Sequence, residues 1–200
     1  TPIKLGTREI EAGETVIYLD KVSIGNFDEI SKHISANGGF DNTYTDIGYA
    51  LNQLKYHHST EKLNYLGNQL VKFMNTRMVT PYLDVILPVP PSNQRDIQPV
   101  YEIASLLAKG VDKKIDFNFL LKNRSTSQLK SMQDPQQRER ELSGVFSLGN
   151  PTLYQGKKIL LVDDLYRSGS TLKEITRVLY EQGKVSNVYV VTLTKTRVNR

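Results

Sequence analysis

The chain reads as an α/β protein, an open and mostly parallel twisted sheet flanked by helices. Three observations predict this class. Short apolar runs (Asp84–Val89, Ile159–Val162 and Val188–Leu193) alternate with segments of helical periodicity. Ile159-Leu160-Leu161-Val162 is apolar at consecutive positions, as expected of a strand covered on both faces. Two hundred residues, 38% hydrophobic and 24% charged, suffice for one such domain and argue against disorder.

The N-terminal part differs from the rest. Thr15-Val16-Ile17-Tyr18-Leu19 is β-branched and aromatic, and Glu11-Ala12-Gly13 before it is a turn signal. Ile3–Ile10 and Thr15–Ile24 are expected to pair as a hairpin, with Asn37-Gly38-Gly39 closing the segment. Residues 1–40 are therefore assigned to a small β-hairpin element and 41–200 to the main domain.

From Asp46 the pattern turns helical, with Ile47, Leu51 and Leu54 and then Leu63, Leu66, Leu70 and Phe73 on shared faces; Thr60 is the expected cap and Pro81 the end. Asp84–Pro90 reads as a buried strand entering a loop. Ile103, Leu106 and Leu107 mark another helix, with Gly110 as its stop. Ile115, Phe117, Phe119 and Leu121 alternate, which predicts one strand. Lys122–Ser143 is polar and nearly empty of large apolar residues, the character of a functional loop with a helical turn near Gln136–Leu142. Leu172, Ile175, Val178 and Leu179 predict the last helix, ending at Gly183, before the strand Val188–Leu193.

There is no cysteine, which excludes disulfides, thiolate metal sites and cysteine nucleophiles. No apolar run approaches the ~18–20 residues of a membrane span, and no export leader is visible, so a soluble cytoplasmic protein is expected. The net charge of +5 suits polyanions, phosphorylated metabolites or nucleic acid, and is equally the charge of an ordinary solvated surface. His57 and His58 are adjacent and diverge by about 100° on a helix, so they do not clamp one metal.

The chemistry concentrates in Ile159–Leu172. A buried strand delivers Asp163 and Asp164 to its carboxyl end, where open α/β sheets bind ligands. A short loop and a helix start follow. The unpaired amides and positive dipole end of that helix, with Ser168, Gly169, Ser170 and Thr171, can wrap a phosphate. Carboxylates repel phosphate but accept hydrogen bonds from sugar hydroxyls, or hold Mg²⁺. A phosphate beside a hydroxylated sugar describes ribose 5-phosphate. The strand end also resembles a Walker B strand, but no Gly-x-x-x-x-Gly-Lys-Ser/Thr occurs in the chain.

Hydrophobic strand, Asp-Asp, three variable residues, Ser, Gly, a small residue and Thr: this order resembles the 5-phosphoribosyl 1-pyrophosphate (PRPP) motif of type I phosphoribosyltransferases. Leu121–Gln128, Arg138, Gly144-Val145-Phe146, Ile86–Pro90 and Asn52-Gln53-Leu54-Lys55-Tyr56 are similar to segments of ComF-type competence proteins, with an amidophosphoribosyltransferase-like character. The likeness runs from about Asp46 to Lys195. It departs from that family in lacking a four-cysteine zinc ribbon and in a shortened loop at Arg95-Asp96-Ile97-Gln98.

The resemblance implies a phosphoribosyltransferase fold that binds PRPP. Asp163 and Asp164 would hold the ribose hydroxyls, directly or through Mg²⁺, and Arg167, Ser168, Gly169, Ser170 and Thr171 the 5-phosphate. Pro90, Pro91, Ser92, Asn93 and Arg95 would cover the pyrophosphate, and Arg124, Lys130 and Arg138 are hood-loop candidates for phosphate contact. Tyr166 is a candidate for stacking on a base and equally for packing in the core. Three functions fit: Mg-dependent phosphoribosyl transfer to an unknown acceptor, a non-catalytic PRPP sensor or nucleic-acid accessory of competence type, or a defence enzyme acting on nucleotides or RNA. A homodimer is also compatible.

Overall fold

The computed structural model describes residues 6–10, 14–18, 46–91, 98–126, 132, 134–166 and 168–195. Six strands form one sheet, introduced here in spatial order: β1 (Gly6–Ile10), β2 (Glu14–Tyr18), β8 (Asn187–Lys195), β7 (Lys158–Tyr166), β3 (Val85–Pro88) and β4 (Lys114–Ile115). All pairs after β1–β2 are parallel. A separate antiparallel pair joins β5 (Leu120–Lys122) to β6 (Phe146–Leu148).

Two apolar cores lie on opposite faces of the sheet, because residues of a buried strand alternate between faces. Ile86, Leu160, Val162, Val191 and Leu193 pack under three helices, α1 (Asp46–His57), α2 (Thr60–Asn75) and α3 (Pro99–Gly110). Val85, Leu87, Ile159, Leu161 and Val190 pack under α5 (Ser170–Glu181), the β5–β6 pair and the end of α4 (Pro135–Leu142). The result is a three-layer sandwich with both faces of the sheet covered. Helices α2 and α3 approach closely: a Cβ at Gly67 would lie 2.7 Å from the Leu106 side chain.

The structure agrees with the main helices and strands and corrects several details. Ser59, not Thr60, caps α2, its Oγ accepting from the Lys62 amide at 3.3 Å. Gly110 is the last residue of α3 and Val111 its cap. The alternating run Ile115–Leu121 is not one strand but two, β4 and β5, in different sheets. Asp116 divides it, because its carboxylate accepts from the amides of Asn118 (2.8 Å) and Phe119 (3.0 Å) and bends the chain into a turn. Strand β7 runs three residues beyond Asp163, to Tyr166.

The N-terminal strands do pair, Gly6 opposite Tyr18 through Ile10 opposite Glu14. Strand β2 then runs parallel to β8, with Val16 opposite Val190, so the hairpin continues the main sheet at one edge. The outer parts of the expected hairpin and Asn37-Gly38-Gly39 lie outside the described residues.

Candidate functional site

Strands β3, β7 and β8 end together at the carboxyl edge of the sheet: Pro88 stands opposite Val162, and the Val89 amide reaches the Val162 carbonyl at 2.9 Å. Beyond Val162, β7 places its two acids. Leu161 belongs to the α5-side core and Val162 to the α1–α3-side core. Continuing that alternation sends Asp163 toward α5 and β5, and Asp164 toward α1.

The two acids look toward lysines from different layers, and one of them makes a direct contact. Asp164 forms an ion pair with Lys55, in the last turn of α1, and both side chains are mostly buried. Asp164 is also fixed through its backbone. Its amide donates to the Asp163 carboxylate at 2.8 Å, and the buried Thr194 hydroxyl donates to its carbonyl at 2.5 Å. The β7–β8 register passes from Asp163 opposite Thr192 to Leu165 opposite Thr194, so Thr194 serves Asp164 where the ladder skips it.

Asp163 retains some solvent contact but is crowded. Burial, and then the neighbouring Asp164 charge, push its carboxyl well above the usual aspartate range, against the Asp164 amide and Lys55. Lys122, on β5, is in electrostatic reach of Asp163. Burial pulls its ammonium below the usual lysine value, and Asp163 opposes that pull. Lys122 donates to the Thr126 hydroxyl at 2.8 Å and lies 5.9 Å from the centre of the Phe146 ring.

After β7 the chain turns into α5 through Gly169, whose φ of +79° is left-handed. The cap residue has no side chain, and the Ser168 hydroxyl before it accepts from the Ser170 amide at 3.4 Å. The remaining amides of the first turn stand at the positive end of the dipole. Ser168 and Ser170 place their hydroxyls 3.0 Å apart beside those amides, and Ser168 is exposed. Thr171 follows, half-buried.

The other expected site residues divide. Pro90 and Pro91 follow β3 at the same carboxyl edge. Ser92, Asn93, Arg95, Lys130 and Arg167 lie outside the described residues. Arg124 spends its charge within the hood: it reaches the Glu141 carboxylate at 3.5 Å, the Ser143 carbonyl at 3.4 Å and the Glu141 carbonyl. Arg138, on α4, holds its Nε away from solvent without an acceptor. Of the two roles open to Tyr166, the structure shows packing: it is a strand residue, 1% exposed, set in the core against Gly169.

Lys55 and Lys122 stand in segments of the resemblance, but neither carries a role that the sequence alone predicts. No spacing signal brings Lys55 to Asp164, since the pairing is made by packing α1 onto the sheet. Among the described residues no cluster of three or more His, Asp or Glu side chains stands together, and Asp164 of the acid pair is in an ion pair with Lys55. No helix among the described residues is long and apolar enough to cross a membrane.

A family model, "Phosphoribosyl transferase domain", matches residues 97–198. The chain belongs to that family. The matched segment holds the acid pair and the Ser168–Thr171 turn, and begins after the Pro90–Arg95 loop. The chain is similar to competence protein ComFC of Bacillus subtilis, being 34% identical to it over 111 residues. That match covers 54% of this chain and 43% of ComFC, so this phosphoribosyltransferase-type chain spans less than half of its relative. Similar solved structures include a hypoxanthine phosphoribosyltransferase from Staphylococcus aureus (19% identity, 68% of this chain and 70% of that one, TM-score 0.43). Another is orotate phosphoribosyltransferase from Aeropyrum pernix (14% identity, 79% and 71%, TM-score 0.42).

Proposed function

We propose that the chain binds PRPP at the carboxyl edge of its sheet and transfers the ribose 5-phosphate group to an acceptor. The observation that carries this reading is the first turn of α5, with its left-handed Gly169 and paired serine hydroxyls, directly after two acids at the end of β7. In this reading Ser168–Thr171 and the α5 amides hold the 5-phosphate. Asp163 and Asp164 accept from the ribose hydroxyls, which phosphate oxygens cannot replace because like charges repel. Pro90 and Pro91 begin the loop that covers pyrophosphate.

The reaction breaks the bond between the anomeric carbon and the pyrophosphate oxygen, and pyrophosphate leaves with the electron pair. The acceptor supplies the pair for the new bond and releases a proton. Positioning and electrostatics suffice, without a covalent enzyme nucleophile. Closure of the Lys122–Arg140 segment would exclude water, which otherwise competes as acceptor.

A second reading is a competence accessory that binds PRPP without turnover, favoured by the similarity to ComFC. Calorimetric titration with magnesium and PRPP, comparing the wild type with Asp164→Asn/Ser170→Trp, tests the common part. Binding that is lost in the folded double variant supports the site, and a folded wild type that does not bind overturns it. Pyrophosphate release with candidate acceptors then separates transfer from sensing.

A further inference from the structure

We propose that Lys55 is a positioning residue whose ammonium takes the place of a protein-held divalent cation at the acid pair. The inference rests on the PRPP reading above. Two adjacent aspartates at the mouth of an anion site pose an electrostatic problem: bare, they would repel a substrate that carries several phosphate charges. A cation must stand beside them. The chain supplies one in Lys55, paired with Asp164, while Lys122 of the opposite layer lies in electrostatic reach of Asp163.

The geometry at Lys55 is that of a fixed counter-ion. It sits in the last turn of α1, the helix end that favours a cation. The side chains of Lys55 and Asp164 are 24% and 16% exposed, so salt and water screen the pair less than an ordinary surface pair. Asp164 is held on its backbone by the Asp163 carboxylate and the Thr194 hydroxyl, and its carboxylate by Lys55. An ionised carboxylate accepts about four hydrogen bonds, so one ammonium leaves capacity for a ribose hydroxyl. Lys55 thus holds Asp164 aimed and compensated while the site remains open to a diol.

The test is calorimetry of PRPP binding in EDTA and across a magnesium series, for wild type, Lys55→Met and Lys55→Arg, with circular dichroism and thermal unfolding to establish that each is folded. The wild type should bind in EDTA within several-fold of its affinity with magnesium. Lys55→Met should lose at least roughly tenfold in EDTA, recover part of that loss as magnesium rises, and be rescued by Lys55→Arg. Lys55→Gln serves in its place if Lys55→Met does not fold. Equal losses with and without magnesium would reduce Lys55 to a structural role and overturn the inference, as would unchanged binding or a wild type that binds only with magnesium. A folded wild type that binds PRPP in neither condition overturns the PRPP reading and this inference together, an outcome distinct from wild-type binding that ignores Lys55.

Discussion

The Tyr166 hydroxyl lies 2.7 Å from the place a Cβ on Gly169 would occupy, with two ring carbons at 3.0 Å. The last residue of β7 and the cap of α5 are thereby locked together: the buried ring forms the floor under the turn, and only glycine both clears it and adopts φ +79°. Gly169→Ala should cost about 1–3 kcal/mol, from the left-handed backbone alone. It should also weaken phosphate binding by displacing the α5 amides. Urea unfolding and PRPP titration check both effects. Tyr166→Leu in the same chain should return only the part of the loss that comes from the clash.

Asp163 makes stability depend on pH in an unusual direction for an aspartate. Its carboxyl is raised, by burial first and Asp164 second, so the folded state keeps a proton that the unfolded chain has already released. Stability from this group is therefore full below the ordinary aspartate range and falls as pH rises from that range through the raised value. Asp163→Asn keeps an acceptor for the Asp164 amide and removes the charge. It should raise Tm relative to wild type at pH 7, with the difference vanishing in acid, while PRPP binding is lost. A Tm difference independent of pH would contradict this account.

Local physics explains what the sequence disclosed. The consecutive apolar run Ile159–Val162 and the i, i+3, i+7 face of Leu172, Ile175 and Leu179 specify a buried strand and the helix upon it, because both patterns are set by neighbours in the chain. The motif at the end of β7 is contiguous and was legible for the same reason. Lys55 and Lys122 were not, since their meaning comes from a helix and a strand that tertiary packing brings to the acids. The run Ile115–Leu121 misled in the opposite way. Its alternation continues across a turn that Asp116 makes with its own side chain, and apolar periodicity does not register such a bond.

Thr194 joins the sheet to the site. Its hydroxyl is 0% exposed as a residue and donates to the Asp164 carbonyl at the point where the β7–β8 ladder is interrupted. Thr194→Val preserves shape and strand propensity but removes the donor. The expected cost is about 1 kcal/mol or somewhat more, because the carbonyl is left without its partner. Asp164 should lose its fixed aim, so PRPP affinity should fall as well. A variant with reduced stability and undiminished affinity would show that Thr194 supports the strand and not the acid.

Tyr154 anchors the turn that separates β4 from β5. Its hydroxyl donates to Asp116 at 2.7 Å and its ring meets Phe119 edge-on at 4.7 Å. Burial alone would raise the Asp116 carboxyl, but the Tyr154 hydroxyl and the Asn118 and Phe119 amides outweigh it and hold it below the ordinary value. A depressed carboxyl contributes stability that is present above the ordinary aspartate range and lost as pH falls through its folded value. Tyr154→Phe removes one of the three donors and leaves the ring packing intact. At neutral pH it should cost at most about 1 kcal/mol, since Asp116 is partly exposed. That cost should shrink toward zero below the depressed range, which unfolding curves across acid pH would show. A cost that persists unchanged in acid would place the Tyr154 contribution in packing against Phe119 rather than in its bond to the carboxylate.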